Sequence, residues 1–272
     1  MCAAYTTIAR TANRTHLVPT LIPPIAAYTF REAVRNRLFV LTLGGMLCLL
    51  GLTAFIGDLA VTEQRQIQAS IIGAGIRLFA VCTVCLFVIT STVREFNDKG
   101  FELILSLPVP RSSYFFGKCA GFLLLALVIS AAGALLLLLY SEPGAVLLWY
   151  VSLVCELLML VILSLLCLFT FGNITVAYML VLAFYLLSRS METIQLVSMS
   201  PILESHSVSQ EFMHGMVQVI ALFLPELHRF ARSEWLIHGS DWAELPPILT
   251  QTVIYAALLS AAALFDLYRK EL

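Results

Sequence analysis

Six long apolar runs, separated by short polar or turn-forming stretches, organise this chain. Leu38 to Gly57 carries no charge. Ser70 to Val93 follows after a polar loop holding Asp58, Glu63 and Arg65. Cys119 to Tyr140 and Ala145 to Phe171 form a hairpin around Ser141-Glu142-Pro143-Gly144, where Pro and Gly end one helix and reverse the chain. Asn173 to Ser190 and Pro247 to Leu267 complete the set. A bilayer-crossing helix needs about 20 apolar residues, and each run meets or approaches that length. The pattern predicts an all-α, polytopic fold of six spans, with residues 38–272 forming one domain.

The segments outside the spans are fewer and more polar. Residues 1–24 carry Arg10 and Arg14 without the apolar centre of a cleavable leader, and read as a loose tail. Residues 25–37, IAAYTFREAVRNR, place Ile25, Tyr28 or Thr29, and Ala33 on one helical side, leaving Arg31, Arg35 and Arg37 to lipid phosphates. That is the pattern of an interfacial helix. Residues 191–246 are acidic overall, with an apolar stretch from Val208 to Leu224 interrupted at helical spacing by Glu211, His214 and Gln218. They predict a helical segment that re-enters or lies on the membrane between spans five and six.

Composition agrees with this class: 60% of residues are hydrophobic and 12% charged, against roughly 25% charged in soluble domains. Nucleic acid is not an expected ligand. The distribution of charge is more informative than its net value. With six spans, Arg10, Arg14, Arg31, Arg35, Arg37, Arg94, Lys99, Arg111, Lys118, Arg269 and Lys270 share one side, eleven of the sixteen Lys and Arg residues. By the positive-inside rule both termini and residues 94–118 are cytoplasmic.

Candidate chemistry within the spans is sparse. Glu156 lies halfway along span four, where an ionised side chain costs about 2.5 to 3.5 kcal/mol, and Arg77 lies about two turns into span two from the same external side. The two are expected to pair; the alternative is that Glu156 lines a substrate or proton path. Cys82 and Cys85 have metal-ligand spacing but sit in an apolar span and read as packing residues. Gly117-Lys118 lacks both the upstream glycine and the following Ser or Thr of a phosphate loop. The chain is therefore expected to be no enzyme and to bind neither metal nor cofactor.

The polar island from Arg94 to Lys118 is longer than a connection requires. Helix is expected to run through Arg94 and Glu95 and to break at Asn97, Asp98 and Gly100. Phe101, Leu103, Ile104, Leu105 and Leu107 then make a short apolar helix closed by Pro108 and Pro110. Tyr114, Phe115, Phe116 and Lys118 are expected to anchor span three at the interface.

This island resembles the first cytoplasmic loop of permease subunits of type-2 ABC exporters. Glu95, Gly100, Glu102, Leu105, Leu107, Pro108, Arg111, Tyr114, Gly117 and Lys118 carry the likeness. It extends to REAVRNR at 31–37, LPELHRF at 224–230 and the terminal FDLYRKEL, and is nearest to the permeases grouped with multicopper-enzyme maturation. The resemblance implies a permease dimer on a dimer of separate ATPase subunits, which hold the ATP and Mg, in a bacterial inner membrane. The second permease is another copy or a homologue, with membrane lipids around both. A coupling loop of Glu95, Asp98, Gly100, Phe101, Glu102, Leu105, Leu107, Pro108 and Arg111 would transmit ATPase closure to the spans. The rival reading is a membrane scaffold that recruits a cytoplasmic protein without transport.

Overall fold

The structure, a computed structural model, describes residues 22–59, 64–97, 111–199, 224–231, 235–236 and 242–269. The helices are α1 (22–35), α2 (Arg37–Leu59), α3 (Gln64–Asn97), α4 (Arg111–Leu137), α5 (Pro143–Phe171) and α6 (Ile174–Met199), then the single-turn α7 (Leu227–Phe230) and α8 (Leu245–Arg269). A 3-10 turn, Trp242–Glu244, leads into α8. No strand occurs among the described residues. Six helices, α2 to α6 and α8, are long and apolar enough to cross a bilayer.

Local chemistry sets the joints. Asn36 interrupts the helix, and its Oδ1 accepts from the backbone N–H of Leu38 at 3.1 Å, capping α2. Pro143 opens α5. At its other end Gly172 adopts φ 67°, the left-handed conformation that closes a helix, and its N–H reaches the Leu168 carbonyl at 2.9 Å. Asn173 Oδ1 accepts from Thr175 N–H, so a two-residue link suffices to start α6.

Helix α5 is the axis of the bundle. It touches α3, α4, α6 and α8, and 78% of its most apolar window is buried, against 17% for α2 and for α8. The peripheral helices instead present apolar side chains outward, among them Val40, Leu41 and Phe55 of α2 and Val253, Leu258 and Phe265 of α8. That is what a bilayer solvent selects. Hydroxyls inside the spans are satisfied locally: Thr42, Thr92, Ser130 and Ser164 each donate to the carbonyl one turn back at 2.7 Å.

Several boundaries differ from the sequence expectation. Helix α1 is already formed at residue 22, and its buried face is Ala26, Thr29 and Ala33, whereas Tyr28 is 64% exposed. Helix α4 begins at Arg111, so the aromatic and basic residues before Cys119 belong to the span helix. Helix α6 continues past Ser190 to Met199. Within 191–246, α7 and the 3-10 turn are described, while the apolar stretch 208–223 lies outside the described residues.

Candidate functional site

Two groups of polar side chains are built into this apolar bundle. The first lies midway along it. Arg77 of α3 and Glu156 of α5, 2% and 0% exposed, meet with Nη1 2.5 Å from Oε2. Arg77 Nη2 donates to Ser152 Oγ at 2.9 Å, and Ser152 in turn donates to the Trp149 carbonyl at 2.8 Å. The guanidinium carbon stands 5.3 Å from the centre of the Trp149 ring. Trp149, Ser152 and Glu156 are spaced i, i+3, i+7 and so share one face of α5. Glycines keep the surroundings close: a Cβ at Gly133 would stand 2.7 Å from Ile76 Cγ2 and one at Gly73 2.7 Å from Leu236 Cδ1, while the indole lies at ordinary contact distance from both. Pairing offsets part of the cost of two buried charges and leaves each dependent on the other.

The second group gathers where α1 and the loop-facing ends of α3, α4 and α8 come together, here termed the basic end. Glu95, in the last turn of α3, accepts from Tyr114 Oη at 2.9 Å and lies 2.6 Å from Lys118 Nζ. Lys118 is 1% exposed; its contact with Glu95 is one of charge rather than of an aligned hydrogen bond, and the Phe122 ring centre is 5.7 Å away. Tyr114 and Lys118, expected at the lipid interface, are thus inside the bundle, because α4 starts early enough to carry them against α3. One turn before Glu95, Ser91 donates to Glu32 of α1 at 3.3 Å.

Glycines of α4 hold α1 against this cluster. A Cβ at Gly117 would lie 2.8 Å from Ile25 Cγ2, and one at Gly121 would lie 2.6 Å from Thr29 Cβ and 2.9 Å from the Ala26 carbonyl oxygen. Gly117-Lys118-Cys119-Ala120-Gly121 is a small-xxx-small surface on which another helix can approach closely. Arg111, at the start of α4, reaches the opposite neighbour: Nη1 donates to the Leu267 carbonyl at 2.8 Å and to that of Tyr268 at 3.3 Å. These carbonyls lie in the last described turn of α8.

The expected coupling loop is therefore described only at its two ends. Glu95 and Arg111 are fixed as above; Asp98, Gly100, Phe101, Glu102, Leu105, Leu107 and Pro108 lie outside the described residues. Arg31, Arg35 and Arg37 are exposed and, with Tyr28, Glu32, Asn36 and Arg94, line a cavity of about 650 Å³ at the basic end. Sequence reasoning passed over Trp149, Ser152 and the Gly117/Gly121 pair. A tryptophan and serine at helical spacing from a mid-span Glu, and two glycines four apart, were the available signals. Among the described residues, no cluster of three or more His, Cys, Asp or Glu side chains could hold a metal ion. No protein-family model matches the chain, and no curated protein sequence matches it.

Proposed function

We propose that this chain is the transmembrane permease subunit of an ATP-driven exporter, powered by a separate ATPase subunit that docks on residues 98–108. The observation that carries the reading is how the chain is fastened on either side of that segment. Before it, Glu95 ties the end of α3 to Tyr114 and Lys118 of α4. After it, Arg111 ties the start of α4 to the end of α8. A segment clamped in this way passes displacement to three span helices at once, and a simple connecting loop would not need either clamp.

In this reading both termini and the basic end face the cytoplasm of a bacterial inner membrane, and two permeases, identical or homologous, act together. ATP and Mg belong to the partner. Closure of the ATPase dimer shifts the permease between inward and outward states, and it does so only through contacts that differ between those states. The resemblance of the 94–118 segment to type-2 exporter loops and the basic-residue bias support the same conclusion.

The test is co-purification of the chain with the candidate ATPase, comparing wild type with Glu102→Arg/Leu105→Asp and recording complex yield and ATP turnover. The proposal expects a folded permease that no longer retains the ATPase. An undiminished complex overturns docking at this loop. A wild-type complex whose ATP turnover is independent of the permease would instead favour a recruiting scaffold.

A further inference from the structure

We infer that the cavity at the basic end is a discrete binding site for the phosphate of an anionic phospholipid. Four of its lining residues are arginines from three helices: Arg31 and Arg35 of α1, Arg37 at the start of α2 and Arg94 in the last turn of α3. Among the described lining residues one carboxylate, Glu32, stands against them, and it is engaged by Ser91. The described lining is therefore positive on balance. The first turn of α2 holds no acidic residue and opens on this cavity through Asn36 and Arg37, so the positive end of a 23-residue helix adds to the field. About 650 Å³ is within the range of roughly 300 to 1,000 Å³ typical of small-molecule sites.

The surface below the arginines selects a lipid over a soluble phosphate. One turn beyond Arg37, Val40 and Leu41 are exposed, and Leu47, Leu52 and Phe55 continue an outward apolar surface along α2. A charged cup above an apolar strip matches a headgroup joined to an acyl chain. A free phosphate uses only the cup. Helix α1 is held at the site by its seat on Gly117 and Gly121 and by the tie of Glu32 to Ser91. The site therefore reports on the position of α1 relative to α3: a bound headgroup bridges Arg31 and Arg35 on one to Arg94 on the other.

Native mass spectrometry of the detergent-solubilised full chain, titrated with phosphatidylglycerol, phosphatidylcholine or glycerol phosphate, tests the inference. Wild type is expected to retain phosphatidylglycerol in preference to phosphatidylcholine, and glycerol phosphate should not displace it. Arg31→Gln/Arg35→Gln should bind phosphatidylglycerol about thirtyfold more weakly and Arg94→Gln about fivefold, taking the usual contribution of a basic residue at an anionic surface. Arg229→Gln, a basic residue outside the cavity, should change nothing. Equal retention by wild type and Arg94→Gln overturns the site even if the double variant fails to fold. Equal retention of the two lipids removes the anionic selectivity, and displacement by glycerol phosphate assigns the cavity to a soluble phosphate instead.

Discussion

Arg111 Nη1 lies 2.8 Å from the carbonyl oxygen of Leu267, joining the first residue of one span helix to the last turn of another 156 residues away. A cationic donor on carbonyls at a helix C-terminus serves both hydrogen bonding and the helix dipole. Replacing Arg111 with Ala should cost about 1 kcal/mol locally, which corresponds to roughly fivefold faster amide exchange in the last turn of α8. Hydrogen exchange of residues 260–269 measures it. If the clamp serves coupling, the ATPase complex should still form while its turnover loses dependence on the permease.

The central ion pair makes a sharper prediction. Removing one partner of a buried pair costs about 3 to 5 kcal/mol, because the other charge is left without compensation. Glu156→Ala and Arg77→Ala should each reduce the yield of monodisperse protein on size exclusion. Arg77→Met/Glu156→Leu should restore much of it, since apolar residues of similar volume fit an apolar bundle. A double variant that folds but supports no transport would give the pair a role beyond packing.

The spans were legible because their signal is local: a run of apolar residues needs no partner to be recognised. The meeting of Arg77 and Glu156 was legible for a related reason, since two lone charges at similar depth have few ways of being tolerated. Lys118 was not. Its partner Glu95 sits on the previous helix across a polar loop, and a Lys beside three aromatics reads locally as an interface residue. Seeing it buried requires knowing that α4 starts at Arg111 and that α3 runs to Asn97, so that the two ends overlap. The seat of α1 was missed because glycine leaves no side-chain pattern; only the spacing of Gly117 and Gly121 announces it.

That seat can be tested directly. The Cβ of Gly121→Ala would stand 2.9 Å from a backbone oxygen of α1, which cannot rotate away as a side chain does. The expected result is displacement of α1 with the rest of the bundle intact: faster exchange across residues 22–35 and unchanged exchange across α5. Unchanged protection of α1 would mean that the two helices do not pack this closely.

Tyr114→Phe isolates the grip on Glu95 with the least disturbance. The hydroxyl donates to Glu95 Oε2 at 2.9 Å, while the ring is buried and is kept by the substitution. A hydrogen bond to a charged group contributes about 1.5 to 3 kcal/mol, so the variant should melt a few degrees lower without losing its fold. Lys118 still holds the carboxylate by charge, but one fixed contact is replaced by a looser one. If Glu95 transmits force from residues 98–108 to α4, Tyr114→Phe should bind the ATPase with unchanged affinity and show a smaller effect of the permease on ATP turnover. Retained stimulation with lowered stability would confine the hydroxyl to holding α3 against α4, and would shift the coupling burden to Arg111.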